Sequence, residues 1–245
     1  MAICGGVRIP LPQPRCTPKE TVMDEVRNKD DSQIEKLGQA DGNIPVGRVQ
    51  HIWCSATIDK KFEDVFVRFI LTQAQNNDKI NEYVVYLSTL GGNPIAATTL
   101  YNFIKSIPQK TTVYNMGNVA SAGVPFFLGF DTRVGVPDCS FFVHQTTLPR
   151  IVFSENVNVF ELERQMASLS ATDIKSQKII LKETSSKAQK PLTKHNIEDA
   201  FLKTATYAEQ DALKRGFIEK VESPKIPNTP DVLYITDQYL ATLPG

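Results

Sequence analysis

Four residues of this chain have types and positions that suit acyl-transfer chemistry. Gly91, Gly92, Ser121 and His144 each lie at or just beyond the end of an apolar, β-like run. A backbone N–H donor, a hydroxyl nucleophile and an imidazole base are the groups that a serine hydrolase must bring together. The chain contains only three histidines, so few other arrangements could supply the base.

Each of these residues also has a purely structural explanation. Ser121 is a suitable N-cap for the apolar helix that it is expected to open, which we predict to run through Phe130. Gly91 and Gly92 suit a tight turn before a helix, and a single histidine on an apolar strand is often a core residue. The residues taken one by one leave both explanations open, but their order along the chain favours catalysis.

Alternating strands and helices are expected to position these residues. The predicted strands are His51–Thr57, Tyr83–Leu87, Thr111–Met116 and Cys139–Val143. Apolar residues recur at helical spacing in Phe62–Ile70, Leu100–Ile107 and Val159–Leu169. This alternation predicts an α/β fold with a largely parallel sheet. Ligands of such sheets bind beyond the carboxyl ends of the strands, where Gly92 and Ser121 would lie.

The composition predicts one α/β domain between two less regular ends. Residues 1–45 are rich in Pro, Gly, Asp, Asn and Lys, so we expect an extended segment with one short helix near Met23–Leu37. The domain itself is expected at residues 46–223. Residues 224–245 are expected to form a tail, whose apolar stretch Val232–Leu240 would dock on a neighbour or on the core.

Charge and cysteine usage exclude several classes of function. The chain has 27 basic and 27 acidic residues, so no net field attracts nucleic acid or an anionic membrane. No apolar run is long enough to span a bilayer, and no secretory signal is evident. The four cysteines show no CxxC spacing, which argues against a disulfide framework or a zinc site. We therefore expect a cytoplasmic protein without metal, cofactor, nucleic-acid or membrane partner.

The segment from about Gly47 to Val221 resembles the Clp protease proteolytic subunit, ClpP, of the ClpP/crotonase superfamily. The stretches that carry the resemblance are Tyr83–Asn93, Tyr114–Gly123, Val136–Gln145 and Tyr207–Val221. The resemblance implies stacked βαβ units with a largely parallel sheet. It also implies a protruding handle helix at about Val157–Glu183, through which rings of subunits contact each other.

The same resemblance implies a role for each site residue. Ser121 would be the nucleophile and His144 the general base, while the N–H groups of Gly92 and Ala122 would form the oxyanion hole. The reaction would be peptide-bond hydrolysis through an acyl-enzyme, on a peptide or unfolded protein bound as an added strand. The subunits would form a homo- or hetero-oligomeric ring that works with an AAA+ ATPase partner.

One catalytic position departs from the family pattern. Alignment without gaps puts Thr204 where the family has its triad aspartate, and a threonine supplies no negative charge to hold an imidazolium. Glu198 and Asp199 lie about a helical turn away and could substitute only if the loop is reshaped. The Gly-rich segment that usually follows the histidine is also replaced, here by Thr146–Arg150.

The departure at position 204 leaves three alternatives to an active ClpP-like peptidase open. The chain could be a catalytically inactive or feeble structural subunit of a ring. It could be another crotonase-type enzyme that acts on an acyl thioester, or an enzyme that pairs its serine with a lysine.

Overall fold

The computed structural model describes residues 49–76, 80–147, 158–227 and 232–243. Its strands are β1 (Val49–Ser55), β2 (Glu82–Thr89), β3 (Lys110–Ala120), β4 (Thr132–Gly135), β5 (Ser140–Val143), β6 (Ala205–Ala208), β7 (Lys220–Val221) and β8 (Val232–Thr236). Its helices are α1 (Lys60–Asn76), α2 (Pro94–Ser106), α3 (Gly123–Leu128), α4 (Val159–Ser185), α5 (Lys194–Lys203), α6 (Glu209–Arg215) and α7 (Asp237–Thr242). The predicted N-terminal segment and its short helix lie outside the described residues.

The strands form one mixed sheet in the order β6-β5-β3-β2-β1-β8, and off this path β4 pairs with β3 and β7 pairs with β4. Every pairing is parallel except that of β5 with β6. Five consecutive residues of β2 are buried, as expected for a parallel strand that is covered on both faces. The predicted α/β fold with a largely parallel sheet is therefore confirmed.

The structure corrects the predicted helix after Ser121. This helix begins at Gly123 and ends at Leu128, and its N-cap is Ala122 without a side-chain hydrogen bond. Ser121 itself has a φ of 53°, which is not helical, because the chain must turn sharply from β3 into α3. The first strand is also shifted, since β1 covers Val49–Ser55 and ends before Thr57.

A cluster of phenylalanine rings fixes α1 and α3 against each other. The rings of Phe66 and Phe126 meet edge to face, with centroids 5.3 Å apart and an interplanar angle of 88°. Phe62 and Phe130 also pack on Phe126. Such pairs stabilise a fold by about 0.5–1.5 kcal/mol each beyond the burial of their area. The cluster holds α3, and with it the turn at Ser121, in one place.

Helix α4 matches the predicted handle helix and spans 27 residues. Its N-cap is Asn158, whose side chain accepts a hydrogen bond from the N–H of Glu161. Ile179 and Ile180, near its other end, are buried in the core. Neither α4 nor any other helix of the described ranges is long and apolar enough to cross a membrane.

Part of the predicted tail is an integral piece of the sheet. Strand β8 pairs in parallel with β1 at the sheet edge, and helix α7 follows it directly. Leu233, Ile235 and Leu240 are buried in the core. The apolar stretch that begins at Val232 thus docks on the core of its own chain.

Candidate active site

Ser121 lies in the sharp turn between β3 and α3. Its N–H donates to the carbonyl oxygen of Phe142 in β5 at 2.7 Å, and its own carbonyl accepts from the N–H of Val124 at 3.0 Å. A positive φ of 53° is uncommon for a serine, and such strained backbone is concentrated at functional sites. Since the N-cap of α3 is Ala122, Ser121 does not cap this helix.

His144 is brought beside Ser121 by the pairing of β3 with β5. These strands are parallel, and Ala120 is the register partner of Phe142, so the residues that follow them leave the sheet side by side. Ser121 and His144 line one cavity of about 70 Å³. His144 is half-buried, and its ring packs on that of Phe142 with centroids 5.5 Å apart. It is thus not a fully buried core histidine.

The serine hydroxyl and the histidine ring are not joined by a hydrogen bond in the described part of the chain. In apo structures catalytic hydrogen bonds are often long and tighten only when substrate is bound. The sheet therefore brings nucleophile and base candidates to one cavity without locking them together.

The Gly91–Gly92 turn is held against both Ser121 and the segment that follows β1. The N–H of Ile58 donates to the carbonyl of Gly91 at 2.8 Å, and the carbonyl of Ile58 accepts from the N–H of Asn93 at 2.6 Å. A Cβ on Gly91 would lie 2.7 Å from the Cβ of Ser121, and one on Gly92 would lie 2.3 Å from the carbonyl oxygen of Ile58. With φ values of 95° and 144°, both positions require glycine.

Two backbone N–H groups are left available at the cavity. None of the hydrogen bonds among the described residues uses the amide N–H of Gly92 or of Ala122. Both residues line the same cavity as Ser121. Unpaired backbone donors beside a nucleophile are the groups that stabilise an oxyanion, so the arrangement is suited to acyl transfer.

Thr204 lies at the end of the β5–β6 pairing, on the side of His144. Strands β5 and β6 are antiparallel and Val143 is the partner of Ala205, so His144 and Thr204 are the first residues beyond the paired strands at the same end. Thr204 is exposed and has a φ of 61° at the C-cap of α5. The structure thus puts a residue without a carboxylate at the place where an orienting partner for the base would be needed.

The two acidic residues that could have replaced this carboxylate are engaged elsewhere. Asp199 forms an ion pair with Lys203 at 2.7 Å, and Glu198 lies 3.6 Å from Lys194. All four residues belong to α5, so these pairs run along the helix surface.

The remaining wall of the cavity is contributed mainly by helices and by the segment after His144. The described residues that line this wall are Pro94, Pro125, Val143, Thr146, Thr147, Ser176, Ile180 and Phe201. Asp173 of α4 holds the segment in place, because its carboxylate accepts the N–H of Thr146 at 2.8 Å. No described residue of the lining is a lysine or an arginine. The replaced positions Leu148–Arg150 lie outside the described residues.

Comparison with known proteins agrees with this architecture. The family model for Clp protease matches residues 45–225. The fold is similar to that of a ClpP1 mutant from Listeria monocytogenes, with a TM-score of 0.60, 16% sequence identity, and coverage of 80% of this chain and 97% of that chain. No curated relative matches the sequence.

The matched segment covers well over half of the chain, so the chain belongs to the Clp protease family. The family predicted from Tyr83–Asn93, Tyr114–Gly123 and the two later stretches is therefore confirmed. Members of this family are ring-forming peptidases, and the chain is ClpP-like in sequence and in fold.

Sequence reasoning missed the residues that hold the Gly-Gly turn. Ile58 binds the turn only through its backbone, and no side-chain pattern marks such a role. Thr89 donates its hydroxyl to the carbonyl of Ala56 at 2.7 Å and accepts the N–H of Gly91 at 3.0 Å. A threonine two residues before a glycine turn is a weak local signal of this kind.

Proposed function

We propose that the chain is a serine endopeptidase that cleaves peptide bonds through an acyl-enzyme. Ser121 is the nucleophile, His144 is the general base, and the N–H groups of Gly92 and Ala122 bind the oxyanion. The observation that carries the proposal is that all four residues line one cavity and that both amide groups lack an internal partner among the described residues.

The chemistry follows from these positions. His144 takes the proton of the Ser121 hydroxyl as its oxygen attacks the scissile carbonyl carbon. The N–H groups of Gly92 and Ala122 donate to the developing oxyanion. His144 then gives the proton to the leaving amine, and a water activated by the same ring hydrolyses the acyl-enzyme.

We expect this peptidase to be slow because of Thr204. An orienting carboxylate holds the base in the productive tautomer and stabilises the imidazolium, and its loss in a related triad lowers kcat by about four orders of magnitude. The Thr204 hydroxyl or a water would have to hold the His144 ring instead. A residual rate from the nucleophile and the oxyanion donors remains under these conditions.

The proposal includes a ring of subunits, alone or with paralogues, and an AAA+ ATPase that controls access for unfolded substrates. Membership of the Clp protease family supports it. So do the apolar side chains exposed near the start of α4, where Phe160 is 81% and Met166 69% exposed, because such patches mark contact surfaces. A stable monomer in light scattering would refute the ring. The cytoplasmic location remains a prediction from the sequence.

The decisive experiment is labelling of the assembled protein with a fluorophosphonate probe, followed by mass spectrometry of the adduct. We expect an adduct on Ser121 in the wild type and none in Ser121→Ala. Hydrolysis of a fluorogenic peptide by the wild type and its absence in the same variant would then identify the reaction.

The second candidate function is that of a non-catalytic ring subunit. Two observations favour it: a threonine without a carboxylate follows the last β5–β6 pair on the side of His144, and no hydrogen bond joins Ser121 to His144 within the described residues. An assembled ring in which Ser121 takes up no probe would establish this role. The Ser–Lys and acyl-thioester alternatives lack support, because no described residue of the cavity lining is a lysine or another cation that could bind coenzyme A phosphates.

A further inference from the structure

The unit formed by β8 and α7 lies beyond the part of the chain that matches the Clp protease family, which ends at residue 225. It nevertheless contacts the segment that holds the candidate oxyanion turn. The carboxylate of Asp237, in the first turn of α7, accepts the N–H of Thr57 at 2.8 Å. Lys61, at the start of α1, donates to the carbonyl of Leu243 just after α7 at 2.5 Å.

Thr57 is joined to the oxyanion turn by a short series of backbone contacts. Its neighbour Ile58 binds Gly91 and Asn93 on either side of Gly92, through hydrogen bonds of 2.8 and 2.6 Å. One residue before Thr57, the carbonyl of Ala56 accepts the Thr89 hydroxyl that also holds the N–H of Gly91. Residues 56–58 are therefore hydrogen-bonded to the turn, directly through Ile58 and indirectly through Ala56 and Thr89. Asp237 binds Thr57, the middle residue of this segment.

Residues 56–58 lie very close to the Gly91–Gly92 turn. Two backbone hydrogen bonds join Ile58 to the residues on either side of Gly92, so a shift of Ile58 acts on the position of Gly92. The approach is close, since a Cβ on Gly92 would lie 2.3 Å from the Ile58 carbonyl oxygen. On the other side of the segment lies a cavity of about 220 Å³, lined by Ser55, Thr57, Ser88 and Asp237 among others, so protein atoms do not fill the space beside Thr57. At the edge of this cavity, the Asp237 carboxylate holds Thr57 through its backbone N–H.

We propose that Asp237 is a positioning residue for the oxyanion donor Gly92, acting through Thr57 and Ile58. This inference rests on the proposed peptidase function. An oxyanion donor works only when its N–H is held within a fraction of an ångström of the productive geometry. The β8–α7 unit thereby supports the proposed catalytic site from a distance, since none of its described residues lines the cavity with Ser121.

The test compares three variants in the assembled protein. Asp237→Ala removes the acceptor, Asp237→Asn keeps an acceptor oxygen without the charge, and Asp131→Ala is the matched control. Asp131 also accepts a backbone N–H, that of Thr111 at 3.0 Å, but at the amino end of the sheet. Hydrogen exchange of peptides that cover residues 56–58 and 90–93 is measured together with kcat and KM for a peptide substrate.

We expect faster exchange in both peptides for Asp237→Ala, and a fall in kcat of roughly three- to tenfold at unchanged KM, the equivalent of one ordinary hydrogen bond that is open to solvent. Asp237→Asn should bring both the exchange of these peptides and kcat most of the way back to the wild-type values. Asp131→Ala should lower stability without changing exchange at residues 90–93 or kcat.

Unchanged exchange at residues 90–93 in Asp237→Ala would overturn the inference, and so would an Asp237→Asn variant as impaired as Asp237→Ala. If the wild type itself shows no labelling of Ser121 and no hydrolysis, the proposed peptidase function fails. The exchange data then still decide whether Asp237 positions the Gly-Gly turn.

Discussion

The two sides of the candidate active site are built in different ways. On the oxyanion side, Gly91 and Gly92 are fixed by backbone hydrogen bonds to Ile58 and by the hydroxyl of Thr89. On the base side, the His144 ring has no hydrogen-bond partner among the described residues, and the neighbouring end of β6 is preceded by an exposed threonine, Thr204. One side is held by the fold, whereas the other depends on individual side chains.

This difference means that a residue on the base side, such as Thr204, can change without disturbing the turn on the oxyanion side. The Gly-Gly turn packs against Ile58 and against Ala120, Ser121 and Ala122, so a change there would disturb both the segment after β1 and the turn between β3 and α3. Thr204 is exposed at the end of α5, and a substitution at such a position costs little stability. The oxyanion side is therefore constrained by folding, and the base side is constrained only by catalysis.

The largest effect is expected for Gly91→Ala, which changes the oxyanion side of the site. Its Cβ would lie 2.7 Å from both the Ala120 carbonyl oxygen and the Ser121 Cβ, so Ser121 and the turn must separate. We expect Ser121 labelling to slow by about 10²–10³-fold, the cost of losing one oxyanion donor.

The matched control for this variant is Gly117→Ala. Gly117 also has a positive φ, of 154°, but nothing lies within 4 Å of the position that its Cβ would take. The Gly117→Ala variant has the same kind of backbone strain but no steric clash of the new Cβ, so the rate of Ser121 labelling should change little. Labelling at the wild-type rate in folded Gly91→Ala would contradict a tightly built oxyanion side.

The second prediction concerns Thr204→Asp, which introduces a carboxylate on the base side. A carboxylate near His144 can hold the ring and stabilise its charged form, so we expect peptide hydrolysis to rise by roughly 10²-fold, part of the full effect of such a group. The measurement is kcat against pH. Thr204→Asn has the same shape without the charge and should show no gain; an equal gain in both variants would rule out a missing charge as the cause of slow catalysis.

The same contrast explains what could be predicted from the sequence. Tyr83–Leu87 and the helical spacing around Phe62 reflect local periodicity, so the β–α order was accessible. Strand β6, which pairs with β5, was not predicted, because four residues are too short to show a periodicity. The contact of Asp237 with Thr57 joins residues 180 positions apart through a backbone N–H, and such a bond leaves no pattern in either segment.

The predicted helix start at Ser121 was wrong for a related reason. Ser121 looked like an N-cap because its type and the apolar run after it fit that role. The structure instead gives it a positive φ and places the cap at Ala122. Tertiary packing of Gly91 against Ser121 decided this turn, and local sequence preference did not.

A smaller effect is expected when the strain at position 204 is removed. Thr204 has a φ of 61°, which is costly for a β-branched residue. Thr204→Gly should stabilise the protein by about 1 kcal/mol after the entropic cost of glycine is subtracted, or about 2–4 °C in Tm. Thermal unfolding checks this, with Thr204→Ala as the control that keeps a Cβ. A lower Tm for the glycine variant than for the alanine variant would show that the threonine is not strained.

The smallest effect concerns Glu183, which links helices α4 and α2. Helix α4 lies on the base side of the site, and α2 begins just after Gly92. Its carboxylate accepts from the Tyr101 hydroxyl at 2.6 Å and pairs with Lys105 at 3.0 Å. Burial pushes the pKa of Glu183 upward, but the hydrogen bonds from Tyr101 and Lys105 and the charges of Lys105 and Lys182 outweigh it. The pKa therefore lies below its ordinary value of 4.5.

Because the folded-state pKa is lowered, this carboxylate stabilises the fold fully above about pH 4.5, and its contribution is lost as the pH falls below that value. Glu183→Gln should be less stable than the wild type at pH 7, and the difference should shrink as the pH falls through this window. Urea unfolding at pH 7 and pH 4 measures it. If the tie also keeps the two sides of the site in register, the variant will lose kcat at pH 7; unchanged kcat would show that each side is positioned independently by its own strand ends.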